Sequence, residues 1–231
     1  MVSLPKIAAE PYAWPSNTPL SPDTTAIVVI DMQVDFCAPG GYADHQGIPM
    51  EPVVSIIPRI QALLAAFRHA GYQVYHTREG HRPDLSTLSL RELYRSRNNP
   101  SGLGIGDPGP LGRLLVRGEP GHEIVPELAP LEKEPVIDKP GRSAFLHTDF
   151  KLLLDVRGIR NLVICGVTTD VCVSSTMRHA NDLGLDCLIV SDACTAAKIE
   201  LHDSFLEGVK MEGGIFGAVA STADVLAALE K

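Results

Sequence analysis

From Thr25 onward the chain alternates between short, nearly continuous apolar runs and longer stretches in which apolar residues recur every three or four positions. The run TAIVVID (25–31) is mostly β-branched, the pattern of a strand buried on both faces, as in a parallel sheet. Similar runs follow at QVYHT (73–77), PVIDK (135–139), NLVICGV (161–167) and DCLIVSD (186–192), with a weaker sixth at FGAVAS (216–221). Between the first two, Ile56, Ile60, Leu63, Leu64 and Phe67 fall on one helical face, and Gly71 supplies a stop. Pro58 fits that helix if Ser55 caps it, because the first turn has no partner for the missing amide donor. Segments 148–156, 170–183, 200–211 and 222–229 read as further helices, with Gly158 and Gly184 as stops. Strand–helix alternation of this kind predicts a doubly wound α/β domain: a mainly parallel six-stranded sheet, helices on both faces and right-handed crossovers.

Two stretches do not fit the alternation. Residues 1–24 form a proline-rich arm carrying Tyr12 and Trp14, neither helix nor central strand, which packs on its own body or on a neighbouring subunit. Residues 78–133 are rich in Gly, Pro and Arg, and only RELYRSR reads as briefly helical. So long an irregular insertion predicts a lid, a binding loop or an oligomer contact. The rest, 25–231, reads as one domain.

Composition narrows the function classes. With 231 residues, 45% hydrophobic and 21% charged, the chain can bury a full core. A net charge of −8 argues against a nucleic-acid footprint or a basic membrane patch. Five cysteines, an odd number without a CxxC pair, suit a reducing compartment; the N-terminus lacks a signal-peptide pattern and no run approaches a membrane span. The expectation is a cytoplasmic protein with no nucleic-acid or membrane partner.

In open parallel sheets the site lies outside the carboxyl ends of the strands. The first strand ends in Asp31, the third in Asp138–Lys139, and the fourth runs into GVTTDVCVSST, where a helix begins near Asp170. Cys172 falls in that first turn, where amides and the helix dipole favour a thiolate, whereas Cys165 and Cys187 read as small buried apolar residues on strands. Taken singly, Asp31 suits a structural ion pair and Lys139 a solvated strand end. Together they form a set: a thiol, a carboxylate base and a cation that stabilises both. The glycines of GLGIGD (102–107) follow no strand and open no helix, which argues against dinucleotide binding.

The segments IDMQVDF (30–36), DKPGRSAF (138–145) and GVTTDVCVSSTMRHA (166–180) resemble, in the same order, the motifs of the isochorismatase-like cysteine hydrolases. The resemblance implies Asp31, Lys139 and Cys172 as a catalytic triad, a cis peptide before Thr168, and the amides of Thr168 and Cys172 as an oxyanion hole. It also implies a homo-oligomer, commonly a tetramer. The flanks (YAWP, DFCAPGGY, HTREGHRPDL, GIGDPGPLGR, RGEPGHEIVPEL and MEGGIFG) are similar to the biuret and triuret hydrolases, with ureidoacrylate amidohydrolases as more distant relatives. Phe36 and Arg82 follow matched motifs and are candidate substrate contacts. Glu212 stands where the biuret enzymes carry glutamine; a carboxylate only accepts hydrogen bonds, which leans towards the longer ureide, triuret. Isochorismatase itself lacks the nucleophilic cysteine, so Cys172 points to amide rather than vinyl-ether cleavage.

Glu79 and His81 match the first two metal ligands of the nicotinamidase branch, but the next histidine is His122 and the further ligands are missing. No metal and no cofactor are expected. The sequence reading is therefore a cysteine amidohydrolase that releases ammonia from the terminal carbamoyl group of a linear ureide, triuret ahead of biuret. Its alternatives are a ureidoacrylate-type or other small-amide hydrolase and, from another class, a non-catalytic binding member of the fold.

Overall fold

The structure, a computed structural model, describes residues 5–230. Six strands build one sheet: β1 (Thr25–Ile30), β2 (Gln73–Glu79), β3 (Val136–Lys139), β4 (Asn161–Val167), β5 (Asp186–Thr195) and β6 (Ala218–Ala220). Their order is β3-β2-β1-β4-β5-β6, and every pairing is parallel. The order reverses beside β1, so a crevice opens there between the carboxyl ends of β1 and β4. β1 and β4 are buried along their whole length, as their unbroken apolar runs require.

The principal helices are α1 (Ile57–His69), α2 (Leu90–Arg97), α3 (Phe150–Val156), α4 (Ser174–Asp182), α5 (Ile199–Lys210) and α6 (Thr222–Leu229). Right-handed crossovers in this strand order place α1 and α6 on one face, where they touch, and α3, α4 and α5 on the other. The predicted stripe of Ile60, Leu63, Leu64 and Phe67 is buried on the sheet. Ser55 does not cap α1. It ends a preceding helix, Met50–Ser55, by donating to the Pro52 carbonyl at 2.8 Å, and Ile56 takes the cap position without a side-chain bond. End to end, Met50–His69 has the length and mean hydropathy (1.3) of a membrane span, a run the sequence reading did not expect; in the fold its apolar stripe faces the sheet.

Three segments differ from expectation in ways that matter for the site. β2 continues past Thr77 to Glu79, because Arg78 and Glu79 pair with Asp138 and Lys139 of β3. β5 continues past a bulge to Thr195, its Cys194 and Thr195 pairing with Gly166 and Val167. The expected helix from 170 starts instead with a π-helical turn, Thr169–Val173, before α4 proper.

The arm folds onto its own chain. Ile7 and Trp14 pair as an antiparallel bridge and are fully buried, and Glu10 bridges to Val219 at the β6 edge. Asp186 anchors it by accepting from Tyr12 Oη (3.0 Å), Trp14 Nε1 (2.9 Å) and the Ser16 amide (2.7 Å). The 78–133 stretch is packed as well: Ile105, Leu114 and Leu115 form a small core with Tyr42. The buried Asp35 carboxylate accepts the amides of Leu115 (2.9 Å) and Tyr42 (3.2 Å).

Candidate active site

The site grows from four adjacent strand ends. β1 delivers Asp31 in a left-handed backbone conformation (φ 51°). β4 can approach β1 this closely because residue 166 is glycine: a Cβ there would meet the Ile30 carbonyl oxygen at 2.2 Å. β2 delivers Glu79 and β3 delivers Lys139, directly opposite one another in register. β4 leads through the cis Val167–Thr168 peptide, which the resemblance implied, into the π-helical turn that carries Cys172. A π turn inside a helix recurs at functional sites, where it re-aims side chains. Thr169 Oγ1 lies 2.8 Å from His202 Nδ1 of α5, tying this turn to the helix layer. On the other side Ala144 N donates to Thr176 Oγ1 at 3.0 Å, tying the loop after Lys139 to α4.

The structure therefore brings the three predicted residues together. Lys139 Nζ lies 2.6 Å from Asp31 Oδ2 and donates to the Gly141 carbonyl at 2.8 Å; Thr77 Oγ1 donates to Asp31 Oδ1 at 2.6 Å. Cys172 Sγ does not stand alone with Asp31: it donates to Glu79 Oε2 at 3.4 Å, and the same oxygen lies 3.7 Å from Lys139 Nζ. All four side chains are buried. The donor atoms of Asp31, Glu79 and Cys172 lie within 4.8 Å of one another, a spacing that would suit a cation, and the Lys139 ammonium supplies a positive charge between the two carboxylates. His81 takes no part in this cluster; its Nδ1 faces Thr87 Oγ1 at 3.2 Å.

Burial dominates the electrostatics. It pushes the Asp31 carboxyl up, against the pull of Lys139. Burial also pushes the Cys172 thiol well above its ordinary value; Lys139 opposes this, while Asp31 and Glu79 add to it. This setting favours the thiol form of Cys172, whereas a first turn of regular α-helix would favour the thiolate. For Lys139 burial acts downward, but Asp31, Cys172 and Glu79 together hold it above the usual lysine range.

Above the cluster is a cavity of about 140 Å³, lined by Phe36, Tyr42, Arg95, Arg142, Thr168 and Cys172 among others. This is well below the ~300–1,000 Å³ of drug-sized ligand sites and leaves room only for a small ligand. Arg142 reaches it from the loop after β3, anchored by Nη2 to Glu92 Oε2 at 2.6 Å. Arg95 also holds Glu92, through Nε at 3.0 Å, and its Nη2 meets Tyr42 Oη at 3.3 Å. Burial works against Glu92, yet Arg142 and Arg95 draw its carboxyl down to about 2. The sequence reading missed Tyr42, Arg95 and Arg142, and considered Glu79 only as a metal ligand.

Two expected contacts are misplaced. Arg82 does not line the cavity; it is exposed, beside Asp84 at 3.6 Å. Glu212 lies in the turn after α5 that enters β6 at its amino end, a turn whose Gly214 packs against Tyr12 and Pro11 of the arm, whereas the cavity is at the carboxyl end of the sheet. A residue there cannot reach Cys172 of its own chain.

Comparison with known proteins places the fold among amide and cysteine hydrolases. A ureidoacrylate amidohydrolase (RutB) of Acinetobacter baylyi is 32% identical over 222 residues, covering 91% of this chain and 85% of that protein. The crystal structure of a cysteine hydrolase from Pseudomonas syringae pv. phaseolicola superposes with a TM-score of 0.78 at 27% identity, covering 100% of this chain and 99% of that one. An isochorismatase family protein from Desulfovibrio vulgaris gives 0.73 at 30% identity, covering 90% and 99%. Relatives from Caulobacter segnis and Azorhizobium caulinodans, each 32% identical, carry the same ureidoacrylate amidohydrolase name as that of Acinetobacter baylyi. The isochorismatase domain profile matches residues 25–224, and the chain belongs to the isochorismatase-like family of cysteine hydrolases.

Proposed function

We propose that the protein is a cysteine amidohydrolase that cleaves the terminal carbamoyl C–N bond of a small linear ureide and releases ammonia. The observation that carries this reading is the buried Asp31–Lys139–Cys172 cluster opening into a small cavity with guanidinium donors on its far wall. Asp31 takes the thiol proton, and the thiolate attacks the carbamoyl carbon while Lys139 balances the charge. The amides of Thr168 and Cys172 receive the oxyanion. The intermediate collapses as Asp31 returns the proton to the departing nitrogen, giving ammonia and a thioester on Cys172. Water, activated by the same carboxylate, then hydrolyses the thioester to a carbamate-type acid: carboxybiuret from triuret, or allophanate from biuret.

The preference for triuret rested on Glu212, and its position in the chain removes that support. Glu212 bears on substrate choice only where a second copy presents it, as in the tetramer that the resemblance implies. The names of the relatives and the two cavity arginines favour a ureide with a carboxylate at its far end, such as ureidoacrylate. Ammonia release from ureidoacrylate, biuret, triuret and nicotinamide, assayed side by side, tests this. Turnover of a ureide is expected; turnover of nicotinamide alone would contradict the reading.

A further inference from the structure

We propose that Glu79 holds the Cys172 thiol in its protonated resting form and releases it when N–H donors of a substrate carbamoyl group occupy the Glu79 carboxylate. The proposal rests on the reading of Cys172 as the nucleophile of an amide hydrolase and adds a fourth residue to its chemistry.

Glu79 is fixed for such a role. Gln33 clamps its backbone on both sides, accepting from the Glu79 amide at 2.6 Å and donating to the Glu79 carbonyl at 3.0 Å. The register places it opposite Lys139. Its Oε2 stands 3.4 Å from the sulfur and 3.7 Å from the ammonium, and the side chain lines the cavity. The relay from Cys172 to Asp31 needs only one carboxylate, so the second requires its own account.

A carboxylate this close to a sulfur has two effects. It accepts a hydrogen bond from the thiol, and it opposes the thiolate, since like charges a few ångströms apart in a buried site interact strongly. One ammonium faces two carboxylates already, and moving the thiol proton to Asp31 leaves the new thiolate beside the Glu79 side chain. That transfer becomes favourable when another donor engages Glu79. Glu79 is the sole carboxylate among the residues lining the cavity, whose other polar side chains include Arg95, Arg142 and Tyr42. A primary amide offers two N–H groups that this carboxylate can accept, and accepting them orients the carbamoyl carbon towards the sulfur. No proton is lost or gained: the thiol proton moves to Asp31.

The test uses two readouts of the full-length protein. Methyl methanethiosulfonate, a small thiol reagent without N–H donors, is reacted across a pH series, with Cys172→Ser defining the background from the other cysteines. Ureide turnover is measured in parallel. Glu79→Gln removes the charge, so Cys172 is expected to react about tenfold faster near neutral pH, its profile moving down by about one pH unit. Over the same change kcat/KM for the ureide is expected to fall about a hundredfold. Glu79→Asp withdraws the carboxylate by one methylene and is expected to change both in the same directions by less, which keeps the test available if Glu79→Gln does not fold. Slower or unchanged thiol modification in the variant overturns the proposal, and so does faster modification with undiminished turnover. Failure of the functional reading is distinguishable: the wild-type protein then turns over no ureide, whatever the thiol does.

Discussion

Lys139 carries one ammonium, fully buried, against two buried carboxylates, and no neutral residue can replace it without cost. Breaking a buried ion pair by removing one partner typically destabilises by ~3–5 kcal/mol, because the remaining charges lose their counter-ion. Lys139→Met is therefore expected to lower unfolding stability by about that amount in urea titration as well as to abolish turnover. Loss of turnover with unchanged stability would show that the ammonium is not needed as a counter-ion in the folded core. Arg142 makes a different kind of contact: only Nη2 is engaged by Glu92, and the side chain borders the cavity. Arg142→Ala is expected to raise KM for a ureide bearing a carboxylate by about tenfold more than for neutral biuret, equivalent to about 1.4 kcal/mol. An equal effect on both would reduce Arg142 to a wall. Asp31, Lys139 and Cys172 were legible in the sequence because each closes an apolar run or opens the helix after one. Glu79 was not, since the apolar run of its strand stops at Thr77 and only pairing with β3 carries the strand onward. Arg142 lies inside a recognised motif, but a motif does not say where a side chain points. Glu212 shows the converse: a familiar segment, placed by the chain path at the wrong end of the sheet.

At the scale of elements, the arm and β5 meet at one residue. Asp186 opens the strand and gathers three donors from the arm, among them the indole of the chain's single tryptophan. Asp186→Ala leaves these groups unpartnered and is expected to cost about 1–3 kcal/mol. Trp14 reports the event directly: its fully buried ring would meet water, so its fluorescence should move to longer wavelength. Unchanged emission would mean that apolar packing of Ile7 and Trp14 alone holds the arm. The sequence could not decide whether this arm packed on its own body, because prolines exclude regular structure without naming a partner. Strand number, the six-membered sheet and the helix stripes were readable from periodicity. The bulge in β5 and the π turn at Cys172 were not, as both arise from pairing and packing that leave no period in the sequence.

For the molecule as a whole, pH is the lever that these ion pairs predict. Burial opposes ionisation of Glu92 and Glu134, yet Arg142 and Arg95 at the first, and Arg68 and His76 at the second, lower each carboxyl to about 2. The folded pKa is depressed, so this stabilisation is complete above the unfolded carboxylate value of ~4.3 and is lost as pH falls towards 2. Stability measured by urea titration should therefore fall steadily between about pH 4.5 and 2, and Glu134→Gln should flatten that slope. A stability independent of pH across the window would contradict the assignment of these pairs. Glu92 connects this behaviour to function, since the same protonation releases Arg142 and Arg95 from their anchor at the cavity.

The central claim is that Cys172 is the nucleophile of an amide hydrolysis. Its most direct test is ammonia release from the best ureide substrate by Cys172→Ser, compared with wild type at equal folded concentration. The account predicts a loss of at least about a thousandfold with the thermal unfolding curve nearly unchanged. A serine variant that turns over at a near-normal rate would contradict it.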